Sequence, residues 1–378
     1  MSRVTLGEVC REYKGRAEAA EGLPVVGLEH LSQSDIDLVG CSHEATTFTK
    51  AFRKGHVLFG RRRAYLKKAS LAPFDGVCSG DIIVIEAVEG RLLPRLLPFV
   101  IQNDYLFDFA VENSAGSLSP RVKWKDLSRF EFELPSMEKQ HELADLLWAA
   151  QEAKRAYSRL VSACDEIVKS RFVEMFGDIR TNAYGWPIET FEELADIITD
   201  GEHATPKRQT EGIYLLSARN IKDHELDLSD VDYIGGDEYE RIAKRIVPRE
   251  GDVLISCSGT IGRCCVVPRG LKFQMVRSAA LIRFADSINP IYAEWLITSD
   301  GVQEQIRKSA TQSSQANLFQ GRIKKLRGIV PPISLQQEFA AFVAQVDKSE
   351  FALKKAIEGV SATTAAILNQ ELGMSDVQ

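Results

Sequence analysis

Several things the sequence lacks narrow what it can do. No apolar run reaches the roughly 18 to 20 residues that span a bilayer, and the opening MSRVTLGEVC has no apolar stretch of the signal-peptide kind, so a cytoplasmic protein without a membrane segment is expected. Cysteine is sparse and scattered. The seven, at 10, 41, 78, 164, 257, 264 and 265, form no CxxC pair and are odd in number, which argues for reduced, packed thiols over a zinc ribbon or a disulfide framework. There is no GxxxxGK[ST] phosphate loop and no HExxH metal helix, and the six histidines are isolated. The nearest approach to the [NDS]-P-P-[YF] motif that holds a flipped adenine is Val330-Pro-Pro-Ile333, which fails at both ends. Asp252 and its neighbours have no downstream E-x-K partner at nuclease spacing. The chain is therefore expected to carry no catalytic residue, no metal site and no cofactor of its own.

An overall basic balance is also missing. The net charge of −6 would by itself argue against a nucleic-acid binder. Affinity for DNA follows the local field at the phosphates, however, and local charge differs. Between Ala51 and Ser70 stand Arg53, Lys54, Arg61, Arg62, Arg63, Lys67 and Lys68 and no acid; between Arg241 and Arg283 nine basic residues face only Glu250 and Asp252. The acidic excess lies elsewhere, in segments such as 223–240.

What is present, above all, is a repeat. The 378 residues, 44% of them hydrophobic, leave room for two domains, and the chain matches itself at an offset of 196. Arg53-x-Gly55-x-Val57-Leu58 returns as Arg249-x-Gly251-x-Val253-Leu254, and LPSMEKQHELA (134–144) as VPPISLQQEFA (330–340), aligning Gln140 with Gln336. Near the start the offset is 185, with Leu6 matching Phe191, so one half has gained about eleven residues early on.

A proline-free helical pattern follows each copy of the proline motif. Leu143, Leu146, Ala150, Ala153, Tyr157, Leu160, Cys164 and Ile167 follow the 3-4 spacing of a coiled coil, and Phe339, Phe342, Val346, Ser349, Leu353, Ala356, Val360 and Thr363 repeat it. Each helix would run about 40 residues, or about 60 Å, longer than one such domain covers. If the helices pair, connectivity makes them antiparallel, with a globular domain at each end of a rod, a pseudo-two-fold axis between, and Gln378 returning near Met1. The expected architecture is α+β: a first domain at 1–134, a long helix at 135–177, a second domain at 178–331, a second long helix at 332–374 and a tail at 375–378. Strands are expected at 81–87, 251–257, 264–267 and 279–284, and a helix over 292–309.

Candidate DNA contacts fall in loops beside these strands. Arg61, Arg62, Arg63, Lys67 and Lys68 offer charge to phosphates, and arginine also reads guanine edges. In the second half His203, Lys207, Arg208, Arg219, Asn220, Arg263 and the polar run holding Gln312, Gln315 and Asn317 supply cations, amides and hydroxyls. Solvated surface and ordinary loop are the bland alternatives for both groups.

The phrases RKGHVLFGRRRAYLKKASLAPFDGVCSGDIIVIEA (53–87), GSLSPRVKWKDLSRFEFELPSMEKQ (116–140), DGEHATPK (200–207), GDVLISCSGTIGRCCVV (251–267) and IKKLRGIVPPISLQQEF (323–339) resemble those of Type I restriction-modification specificity subunits, across nearly the whole chain. That resemblance implies two target recognition domains, each reading half of a bipartite double-stranded DNA site, with two long helices as a ruler. It further implies two methyltransferase subunits, which bring S-adenosylmethionine, and restriction subunits, which bring ATP and Mg. Polar outer positions of the helices, such as Glu142, Lys154, Arg155 and Lys355, are expected docking surface, with solvated surface as the alternative. A duplicated, non-catalytic protein scaffold is the alternative from another class, and a single-chain endonuclease a third.

Overall fold

A computed structural model of the chain describes residues 2–18, 21–310 and 317–374. It divides into two compact mixed α/β units, one comprising Met1–Arg159 with Leu353–Gln378, the other Leu160–Ala352. No helix among the described residues is long and apolar enough to cross a membrane.

Among its described residues the first unit holds nine strands: β1 (Ser2–Thr5), β2 (Cys10–Glu12), β3 (Val25–Val26), β4 (Lys50–Phe52), β5 (Val57–Gly60), β6 (Ala69–Leu71), β7 (Gly76–Cys78), β8 (Ile82–Ala87) and β9 (Glu131–Leu134). The second holds twelve: β10 (Ile188–Thr190), β11 (Ala195–Asp200), β12 (Arg208–Gln209), β13 (Ile213–Leu216), β14 (Ile221–Lys222), β15 (Glu225–Leu226), β16 (Asp232–Ile234), β17 (Val253–Ser256), β18 (Cys264–Val266), β19 (Phe273–Met275), β20 (Ala279–Phe284) and β21 (Arg327–Ile329). The main sheets have the same order, β2-β8-β5-β6 and β11-β20-β17-β18, antiparallel throughout. Their registers agree as well, Val57 facing Ile85 where Val253 faces Ile282. The parallel pair β3–β7 has its counterpart in β13–β19, and β1–β9 in β10–β21. The change of offset from 185 to 196 falls between β11 and β17, where the second unit carries the β14–β15 hairpin and the helix Gly236–Ala243.

The repeated R-x-G-x-V-L motif has a physical cause. Gly55 and Gly251 sit at φ 90° and 83°, a region that costs any side chain, and each opens a central strand whose Val and Leu are buried. The residue between them closes the turn from its side chain: the Arg53 N–H donates to His56 Nδ1 at 3.1 Å, and the Arg249 N–H to Asp252 Oδ2 at 2.8 Å.

The expected helix over 292–309 is two helices, Pro290–Thr298 and Asp300–Ala310, broken at Ser299, whose backbone is extended and whose hydroxyl donates to Leu296 O. The long helices span Met137–Phe176 and Ile333–Glu371. In the first unit they run antiparallel, Lys139 lying 3.7 Å from Glu371 and Leu143 and Leu147 packing in one core with Leu368 and Leu372. In the second unit Arg171 meets Glu338 at 3.1 Å and Phe172 meets Phe339 edge-on at 5.4 Å, again antiparallel.

The seam departs from the expected stripe. Leu146 and Leu160 are each 50% exposed and Ile167 is 53% exposed, whereas Leu147 and Val168 are buried and Val161 is half-buried: the seam lies one residue further along. Two further buried positions of this helix, Gln140 and Gln151, are polar and are held by loops of the first unit, Gln140 by Arg91 and Leu93 and Gln151 by Asp35 and Asp37. Leu143, Phe339, Phe342, Val346, Leu353 and Tyr157 are buried or half-buried.

Both proline-motif glutamines do the same work. Gln140 accepts from Leu93 N at 2.8 Å and donates to Pro135 O and Arg91 O; Gln336 accepts from Asn289 N at 2.8 Å and donates to Pro331 O and Ser287 O. Each is buried and pins the start of its long helix to the loop before the next helix.

Candidate nucleic-acid interface

The β5–β6 hairpin carries the first basic cluster in its loop, residues 61–68. Most of these cations are committed. Lys67 meets Asp104 at 2.7 Å and Asp108 at 3.2 Å, and the bond to Asp104 raises its pKa. Lys68 Nζ donates to Leu28 O at 3.0 Å. Arg62 Nε donates to Ser119 Oγ at 2.7 Å and its guanidinium lies 3.4 Å from Asp81, whose carboxyl is held low chiefly by Arg121 at 2.8 Å. Arg61 is half-buried, its Nε buried without a partner. Arg63 is exposed and has no ion pair among the described residues. The loop is shaped by backbone: Arg63 and Lys67 take φ 54° and 48°, bracketing the single turn Ala64–Leu66.

In the second unit the corresponding β17–β18 loop, 257–263, is shaped instead by Gly259 and Gly262 at φ 69° and 86°. Arg263 at its end is half-buried, and its backbone N–H is held by Ser256 Oγ. At the end of β11, His203 is exposed, with Nε2 3.7 Å from Asp200 Oδ2; the other Asp200 oxygen is buried without a partner, and burial raises that carboxyl's pKa. Lys207 is exposed. Arg208 and Arg219 are drawn to one carboxylate, Asp232, at 3.1 and 3.3 Å. Asn220 is no base reader: it is 1% exposed, accepts from Ser217 N and donates to Asp227 O and Asp230 O, closing the turn before β14. Its amide is spent because a buried polar group must be satisfied internally. Asn317 is half-buried, and Gln312 and Gln315 lie outside the described residues.

The structure thus gathers Arg61–Lys68 on one hairpin and Arg208 with Arg219 on one acid, leaving His203, Lys207 and Arg63 outward. Sequence reasoning missed Asp200 and Asp232; the acidic run 223–240 was the available signal for Asp232. No group of three or more His, Cys, Asp or Glu that could hold a metal ion occurs among the described residues.

The α/β fold is built twice with unlike loops at like places, and residues 210–359, within the second copy and its long helix, match the family model described as Type I restriction modification DNA specificity domain. Over that region the chain is similar to the specificity subunits of type I restriction-modification systems. It is 29% identical over 99 residues to the Type I restriction enzyme EcoDI specificity subunit of Escherichia coli, an alignment covering 26% of this chain and 21% of that protein. Its fold is similar to a chain solved in work on complex assembly and conformational transition of the type I R-M system, at TM-score 0.54 and 21% identity over 99% of this chain and 98% of that one. It is also similar to the S subunit of a Type I restriction-modification system from M. genitalium, at TM-score 0.53 and 12% identity over 100% and 96%.

Proposed function

We propose that the chain reads a bipartite site on double-stranded DNA, one half with each unit, and has no catalysis of its own. The observation that carries this is the shared sheet order and register of the two units combined with different loops at the β5–β6 and β17–β18 positions. Equal scaffolds place equal surfaces on DNA; unequal loops read unequal sequences. The long helices set the gap between the half-sites. Two methyltransferase subunits supply S-adenosylmethionine chemistry and restriction subunits the ATP- and Mg-dependent cleavage, in the cytoplasm.

Docking of two copies of one partner has its own support. Each unit bears a cleft at the same place in the repeat, about 310 Å³ beside Phe99, Gln102 and Leu368 and about 540 Å³ beside Trp295, Thr298 and Phe172, residues related by the 196 offset. Gln102 Oε1 and Trp295 Nε1 are buried there without partners.

The scaffold reading is favoured by one fact, the engagement of Arg208, Arg219 and Lys67 by carboxylates. Pull-down of tagged protein from its own cells, with mass spectrometry and mapping of adenine methylation, separates the two. A co-purifying methyltransferase that marks one bipartite sequence is expected; unrelated partners without methylation would favour the scaffold.

A further inference from the structure

Three large apolar side chains stand in solvent on two tied loops of the first unit. Tyr65 is 54% exposed and Leu66 37%, both on the turn Ala64–Leu66, and Leu118 is 94% exposed in the neighbouring loop 114–120. The loops are joined at three points: Arg63 N donates to Pro120 O at 2.8 Å, Arg62 Nε donates to Ser119 Oγ at 2.7 Å, and the backbones of Arg62 and Arg121 form a bridge.

The turn is also stiff. Left-handed conformations at Arg63 and Lys67 persist only where the surroundings enforce them. Here the Lys67 ion pairs, the bond from Lys68 Nζ to Leu28 O and that from Gln102 Nε2 to Lys67 O do so. A loose loop would fold its apolar groups back; this one holds them out, with the exposed Arg63 beside them.

A rigid apolar tip with a cation at its edge matches the gap between two base pairs bordered by phosphate. We propose that Tyr65, supported by Leu66 and Leu118, is a wedge that enters the base stack of the half-site held by the first unit, while Arg63 takes the adjoining phosphate. This rests on the DNA reading above. Glycines shape the corresponding loop of the second unit, which exposes no large apolar side chain among its residues 257–263. The wedge therefore kinks the half-site held by the first unit.

The test uses the complex purified from cells, a duplex that it enriches from a random-sequence library, and that duplex carrying 2-aminopurine at successive positions. Wild type is expected to brighten the probe at one step in the half-site held by the first unit. Tyr65→Ala and Leu118→Ser should abolish that signal and weaken binding about tenfold with the salt dependence unchanged, whereas Tyr65→Trp keeps both. Arg63→Gln should lower the salt slope by about one. Unchanged melting temperatures show that the variants are folded. Binding within about twofold of wild type with the signal intact, or a probe dark at every step, overturns the wedge alone. Normal duplex binding by variants that lose a protein subunit assigns the tip to that subunit and overturns it too. Failure of wild type to enrich any duplex overturns the DNA reading, and the wedge with it.

Discussion

His56 lies 3.3 Å from Glu86, which also meets Arg11 at 2.7 Å; at the same three places in the second unit stand Asp252, Arg283 and Asp196. The central charge is reversed: a carboxylate between a neutral imidazole and a guanidinium in one copy, a guanidinium between carboxylates in the other. Burial lowers the His56 pKa, and because Nδ1 accepts from Arg53, Nε2 carries the proton toward Glu86. Glu86→Arg alone, facing Arg11, should destabilise the first unit by about 2–3 kcal/mol in urea unfolding, and the triple change Arg11→Asp, His56→Asp, Glu86→Arg should recover most of that. Gln140→Ala and Gln336→Ala should each cost about 2–4 kcal/mol, since each strands a buried N–H and two carbonyls; equal losses would show that both copies still use the anchor. These glutamines were legible in the sequence because a side chain that satisfies three fixed backbone groups has no substitute of the same shape. The inverted triad was not legible, since a salt bridge constrains the product of two signs and neither residue alone.

At the scale of elements, the long helices were legible in existence and length, and their seam was not. A leucine stripe reports the positions that could be buried; Leu146 and Leu160 are instead exposed, while polar Gln140 and Gln151 are buried against loops of the first unit. Leu146→Glu should leave the melting temperature within about 1 °C and abolish capture of a partner subunit, while Leu147→Glu, one position on, should unfold the first unit. The loop that braces the first helix is also electrostatic. Arg155 hydrogen-bonds Asp37 at 2.7 Å and holds its carboxyl below the usual range, and Lys154 lies 2.9 Å from Asp35. A depressed folded-state pKa contributes stability above the ordinary carboxylate value and loses it as pH falls through the folded one. Melting temperature should therefore fall between about pH 5 and pH 2, and Asp37→Asn should flatten that limb. The basic loop was legible as charge but not as shape, because the positive φ values at Arg63 and Lys67 arise from tertiary bonds to Leu28, Asp104 and Pro120.

For the molecule as a whole, duplication was legible in the 196-residue register, since the positions that repeat include glycines at positive φ, buried Val and Leu, and glutamines that satisfy fixed backbone groups. The loops that differ between the copies were not, for their residues obey no shared constraint. The first unit is completed from a distance: Leu368, Leu372 and Met374 sit in its core, and Asn369 accepts from Asn103 at 2.7 Å. Removal of residues after Ala352 should eliminate the unfolding transition of the N-terminal unit and leave the transition of 160–352 nearly in place, as differential scanning calorimetry would show.

That arrangement also reverses the order of assembly on the ribosome. Residues 160–352 form a continuous stretch and can close once they emerge, whereas the unit synthesised first must wait for residues 353–374. At about 5–20 residues per second, nearly two hundred intervening residues hold its apolar face open for on the order of ten to forty seconds. The nascent N-terminal half is thus a client for chaperones, and a messenger truncated late damages the earliest part of the protein.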